Sequence, residues 1–298
     1  MVCKMKILIA DTFDQTLKQN LSRFGEVFTD KNRVNEAEII LVRSKTKCTK
    51  EYIDRALNLK LIIRGGVGID NIDIEYARTR GIEVRNTPEA SAIAVAELAF
   101  ALMISHSSRI IQAHEGLKKG KWLKKELKRS ELFGKTLCLV GLGHIAVELA
   151  KRAQSFGMNV AAFRKSGQLS QIAQVKPNLA QAVEGADYIS LHTPLTDLTR
   201  GMINREILNK MKDGAMLINT GRALCVNTKD LVSALEKGKL SAYATDVWSS
   251  DPPAEDDPIL NAPNVIMTPH LGASSKENLK RIGREAESII ESMIDELT

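Results

Sequence analysis

The chain has 298 residues and a mass of 32.8 kDa, more than one hydrophobic core usually serves, so its length predicts two domains. With 44% hydrophobic and 26% charged residues it has enough apolar surface to offset chain entropy, which excludes intrinsic disorder, collagen-like repeats and disulfide-stapled miniature folds. The net charge of +6 is local: residues 118–135 hold eight Lys/Arg against two Asp/Glu, and with only Trp122 and Phe133 interleaved and no reading motif, nucleic acid is not an expected partner.

In chain order, short β-branched runs alternate with helix-period segments, the pattern of parallel strands covered on both faces. Strands are predicted at 6–10, 39–43, 61–64 and 83–85. The apolar segment from Ser91 to about Gly116 predicts one long buried helix joining the two units, with no Pro/Gly-rich linker. Its apolar core around 92–104 contains Glu97 and is too short to span a bilayer. Six further strands follow at 136–140, 159–163, 188–191, 215–219, 243–247 and 265–267, the number a dinucleotide fold uses. The last segment places Leu279, Ile282, Ala286, Ile289, Ile290, Met293, Ile294 and Leu297 on one helical face, which predicts a return to the first unit.

The amino terminus lacks the pattern of a signal peptide, so a cytoplasmic location without a membrane anchor is expected. Cys3, Cys48, Cys138 and Cys225 are scattered and read as reduced core thiols, with no metal site.

The strand at 136–140 runs into Gly141-Leu142-Gly143-His144-Ile145-Ala146 and then a helix-period stretch. Gly141 allows a tight turn, Gly143 lets backbone approach a pyrophosphate, and Ala146 lets the helix lie close to the sheet. The amides of His144 and Ile145 would meet phosphate at a positive helix terminus. The next strand ends Phe163, Arg164, Lys165, Ser166, where a carboxylate would otherwise accept from ribose hydroxyls. Two cations and a hydroxyl favour a 2′-phosphate, so NADP is the expected cofactor; NAD remains usable if Arg164 only stacks on adenine.

Five blocks in order, RGGVGIDNID (64–73), GLGHIA (141–146), LINTGRALCVN (217–227), YATDVWSSDPP (243–253) and MTPHLGASSKEN (267–278), resemble the D-isomer-specific 2-hydroxyacid dehydrogenases over essentially the full chain. With VRSKTK (42–47), the wording is most similar to the phosphoglycerate dehydrogenase branch of that family. The resemblance implies an α/β fold of two doubly wound parallel sheets. One is a flavodoxin-like substrate domain over 1–90 to which the helix at 276–298 returns; the other is an inserted Rossmann domain over 91–275. It implies interconversion of 3-phosphoglycerate and 3-phosphohydroxypyruvate, the entry to serine synthesis, without the serine feedback of longer relatives.

Site roles follow from the same resemblance. Arg222 would bind the substrate carboxylate and carbonyl and stabilise charge as hydride arrives. His270 would donate and remove the proton, a task suited to an imidazole. Asp251 stands where the family uses Glu, one methylene shorter, so either it reaches His270 or the pair is stretched and the pH optimum moves down. Asp246, Thr220 and Gly221 would hold the nicotinamide carboxamide, with Thr193, Gly272 and the wall residue His192 completing the cofactor set. Arg43 and Arg64 would face a substrate phosphate, and the amides of Gly66, Val67 and Gly68 its carboxylate. Arg43 and Arg64 also read as strand-end surface residues, which leaves an NADPH-dependent glyoxylate or hydroxypyruvate reductase open, with a nucleotide-sensing corepressor more distant. The basic run at 118–135 corresponds to the family's arm, which implies a homodimer.

Overall fold

The structure is a computed structural model and describes residues 4–296; Cys3 and Leu297 lie outside them. It divides into two compact units, Met1–Ser91 with Ala273–Thr298, and Ala92–Gly272.

The first unit holds β1 (Met5–Ile9), β2 (Gly25–Phe28), β3 (Ile39–Val42), β4 (Leu61–Arg64) and β5 (Glu83–Asn86). They pair in parallel in the order β2-β1-β3-β4-β5, the doubly wound arrangement of flavodoxin-like sheets. Alternation along the strands divides the core into two layers. Ile7, Ile9, Ile39, Leu41, Leu61 and Ile63 face one side, where Ile282, Ala286 and Ile290 of the terminal helix Lys276–Glu296 meet them. Leu8, Ile40, Val42 and Ile62 face the other side, with Ile53 and Ala77. Burying Ile282 and Ile290 completely stabilises this unit by roughly 2 kcal/mol each. Strand β2 is absent from the prediction because Gly25-Glu26-Val27-Phe28, an edge strand, has only two apolar residues and no clear alternation.

The second unit has seven parallel strands, β6 (Thr136–Val140), β7 (Asn159–Phe163), β8 (Gln174–Val175), β9 (Tyr188–Leu191), β10 (Ala215–Asn219), β11 (Leu240–Thr245) and β12 (Val265–Met267). Their order is β12-β11-β10-β9-β6-β7-β8. It reverses between β6 and β9, the switch point at which open α/β sheets bind ligands. The extra strand β8 is only two residues long, too short to leave a periodic signal.

The single joining helix expected from Ser91 to Gly116 is instead two helices, Ala92–Ser107 and Ile110–Lys118, bent by 61°. Arg109 adopts a left-handed φ of 56° at the break, which ends the helical hydrogen-bond ladder, and the Ser107 hydroxyl donates back to the Ile104 carbonyl. The residues at the break, Ser105-His106-Ser107-Ser108-Arg109, are polar but include no Gly or Pro, so the apolar runs on either side read as one helix. Among the described residues no single helix is long and apolar enough to cross a membrane. Cys48, Cys138 and Cys225 are buried and unpaired, and burial pushes the thiols of Cys48 and Cys138 up to about 12. The described residues contain no group of three or more metal-ligating side chains.

Candidate active site

In the second unit, β6 turns at Gly141, whose φ of +91° suits glycine and where an added Cβ would lie 2.7 Å from the His192 carbonyl oxygen. Gly143 caps the helix His144–Ser155 without a side-chain acceptor, leaving first-turn amides without intrahelical partners. A Cβ at Gly143 would meet nothing within 4 Å, so the space over that positive terminus is open. Ala146 is fully buried against the core. At the end of β7, Arg164 is half-buried while Lys165 and Ser166 are exposed.

Two polar atoms on neighbouring loops are buried without a protein partner, Thr220 Oγ1 and His192 Nδ1. His192 Nε2 lies 2.9 Å from Ser190 Oγ, and burial lowers this imidazole to about 4, so it is neutral at physiological pH. An open helix terminus beside orphaned donors and acceptors at the switch point fits a nicotinamide dinucleotide. The Thr193 hydroxyl points inward to the sulfurs of Met202 (3.8 Å) and Cys225 (3.7 Å).

His270 also has a left-handed φ of 56°. Its Nδ1 lies 2.5 Å from Asp251 Oδ2, with side chains 37% and 46% exposed respectively, so the shorter carboxylate reaches the ring. The carboxylate can accept a hydrogen bond from Nδ1, and Nε2 makes no hydrogen bond among the described residues. Trp248 Nε1 donates to the Thr268 carbonyl at 3.0 Å and ties the segment before Asp251 to the one before His270. Asp246, 2% exposed, accepts from the Thr268 hydroxyl (2.6 Å) and from the amides of Leu271 (2.7 Å) and Gly272 (2.8 Å). Its carboxylate is therefore engaged chiefly with the His270 segment, a connection the sequence did not disclose. A Cβ on Gly272 would fall 3.0 Å from Asp246 Oδ2, which accounts for the glycine.

The turn bearing Arg222 is organised by the fully buried Asn219, a residue whose role has no signal in local sequence. Asn219 Oδ1 accepts from the Gly221 amide at 3.1 Å, and its Nδ2 donates to the Arg222 carbonyl at 3.0 Å and to Tyr243 Oη at 3.3 Å. Arg222 Nη1 donates to the Gly221 carbonyl at 2.7 Å. A groove of about 740 Å³ beside Lys229 and Asp256 is lined by none of the predicted residues.

In the first unit, the register Val42↔Arg64 places Arg43 and Arg64 at the same end of the sheet. The half-buried Arg43 guanidinium donates to the carbonyls of Thr12 (3.4 Å) and Ala273 (3.0 Å). Burial lowers the Arg43 pKa, with Asp11 opposing the effect. Asp11 is 3% exposed. Burial alone would raise its carboxyl, but hydrogen bonds from Thr46 and the Arg43 amide, together with Lys31, hold it below the usual value. The Arg64 side chain lies over Gly66, where a Cβ would be 1.7 Å from Nη1.

Gly66 is not the donor the sequence predicts. The Gly66 amide already donates to Thr87 Oγ1 at 2.7 Å and so is not open to a ligand. The amides of Val67 and Gly68 have no hydrogen-bond acceptor among the described residues.

A family profile described as "D-isomer specific 2-hydroxyacid dehydrogenase, NAD binding domain" matches residues 100–272. The chain is 42% identical over 266 residues to a hydroxypyruvate reductase of Thermotoga maritima, covering 89% of this chain and 86% of that protein. It is 40% identical over 291 residues to a D-3-phosphoglycerate dehydrogenase of Methanocaldococcus jannaschii, covering 94% of this chain and 55% of that one; the chain thus spans about half the length of this relative. Among solved structures, an acyclic imino acid reductase in complex with NADPH and D-Arg superposes with a TM-score of 0.90 at 30% identity, covering 98% of each chain.

Proposed function

Because the chain belongs to the D-isomer specific 2-hydroxyacid dehydrogenases, we propose that it interconverts 3-phosphoglycerate and 3-phosphohydroxypyruvate with NADP. The observation that carries the reading of its chemistry is the 2.5 Å contact between His270 and Asp251 in the unit that holds the glycine turn. When bound, the nicotinamide supplies or takes up the hydride at C2 of the acid. His270 Nε2 donates a proton to the ketone oxygen during reduction and removes it during oxidation, while Asp251 orients the ring and balances its charge. Arg222 binds the oxygens on which charge accumulates. The free amides of Val67 and Gly68 take the substrate carboxylate.

Phosphate recognition is supported by Arg43 and Arg64 at one sheet end, where two fork-shaped donors suit a dianion. A second reading, reduction of unphosphorylated hydroxypyruvate or glyoxylate, is favoured by the commitment of Arg43 to two backbone carbonyls. Rates with phosphohydroxypyruvate, hydroxypyruvate and glyoxylate, each with NADPH and NADH, test both points. At least a tenfold higher kcat/KM for the phosphorylated acid and for NADPH is expected. A preference for hydroxypyruvate would favour the second reading, and a tenfold preference for NADH would remove the role given to Arg164. Turnover of none of the three acids would refute the function itself.

A further inference from the structure

Outside the residues already given roles, a braced polar contact holds the loop 64–68. Thr87, fully buried just beyond β5, accepts the Gly66 amide on its hydroxyl at 2.7 Å. Its own amide is shared between the carbonyls of Arg64 (3.2 Å) and Gly66 (3.1 Å). The neighbouring Asn86 donates from Nδ2 to the Val67 carbonyl at 2.6 Å. Two consecutive residues thus hold both flanks of the segment from which the amides of Val67 and Gly68 project. Gly66 has a φ of +137° and the Arg64 guanidinium above it, so the loop stays in a conformation that few residues adopt unaided.

We propose that Thr87 is a positioning residue for anion binding: by accepting the Gly66 amide it turns the next two amides outward as the carboxylate receptor for the 2-oxo acid. This rests on the function proposed above only for the identity of the anion. The hydroxyl is essential to the role because its oxygen is the sole acceptor the Gly66 amide has among the described residues. Valine has nearly the same shape and no acceptor, whereas serine keeps one. Leaving a buried amide unsatisfied, or letting it rotate, disturbs the geometry of its neighbours.

The experiment compares wild type, Thr87→Val, Thr87→Ser and Asn86→Ala by steady-state kinetics, coenzyme binding and amide hydrogen exchange. Thr87→Val is expected to raise KM for the 2-oxo acid about tenfold. kcat and the Kd for NADPH should stay within about twofold, as expected for ground-state binding lost in one unit. The Gly66 amide should exchange about tenfold faster. Thr87→Ser should restore both values, and Asn86→Ala, which leaves Thr87 intact, should raise KM in the same direction. Unchanged Gly66 exchange in Thr87→Val, or a KM unchanged in both Thr87→Val and Asn86→Ala, would overturn the proposal. Should Thr87→Val not fold, Asn86→Ala and Thr87→Ser decide it by the same criteria. If the wild type reduces no 2-oxo acid, the proposed function fails, and exchange at Gly66 with and without oxalate still judges the loop: faster oxalate-free exchange in Thr87→Val and weaker oxalate protection of the loop support the proposal, and their absence overturns it.

Discussion

Asp251 is long enough to reach its partner. The carboxylate is one methylene shorter than the family's Glu, yet it meets His270 Nδ1 at 2.5 Å. Asp251→Asn should keep the ring in place but remove the charge that balances an imidazolium, lowering kcat by roughly 10- to 100-fold. His270→Gln should lower it by about a thousandfold; an unaltered rate over pH 6–9 in either variant would remove that residue from the chemistry. Two other histidines make a stability prediction. Burial lowers His106, 7% exposed, to about 4, with Arg109 adding to the shift, and burial does the same for His192. Between about pH 6.5 and 4 the unfolded chain binds protons that the folded chain refuses. Their stabilisation is therefore complete above about 6.5 and lost as pH falls toward 4, at about 1 kcal/mol per pH unit for His106. Urea midpoints at pH 7.5 and 5 should show this decline, and His106→Gln should flatten it. His270, Arg222 and the glycine turn were legible as candidates because each lies in a contiguous block. The partners that orient them were not: Asn219 packs under Arg222 and Thr87 under Gly66 through contacts that local spacing does not encode.

Seven of the ten predicted strands, β4, β6, β7, β9, β10 and β12 with β5 extended by one residue, lie where short, mostly apolar runs between turn signals place them. β11 begins three residues earlier than expected, at Leu240, and its register with β10 shifts between Ala215 and Met216; small polar Ser241 hides that start. The break at Arg109 was illegible because the polar run 105–109 holds neither glycine nor proline, and a left-handed arginine cannot be told from a helical one by its identity. At the exit of β12, the engagement of Asp246 with the amides of Leu271 and Gly272 makes that segment a single unit with β11. Gly272→Ala should push a methyl against Asp246 Oδ2 and Val95, shift His270 away from Asp251, and lower kcat about tenfold with little loss of folded protein, as checked by circular dichroism alongside turnover.

At the scale of the whole molecule, the surplus charge and several exposed apolar side chains occur together. Ile110, Ile111, Leu117 and Trp122 are 44–76% exposed on the second joining helix and the basic arm, whose lysine stems can cover apolar surface. We propose that this region pairs two copies of the chain, so sedimentation should give twice 32.8 kDa, and Trp122→Glu with Leu117→Glu should give the monomer. The order of the chain has a second consequence. One core layer of the first unit includes Ile282, Ala286 and Ile290, which leave the ribosome only after all of Ala92–Gly272 has been made. During synthesis, therefore, the inserted unit can close its own core while Phe13, Leu17 and Ile63 still wait with one side bare. That makes the earliest-translated part of the nascent polypeptide the last to mature, and the part with most need of a chaperone.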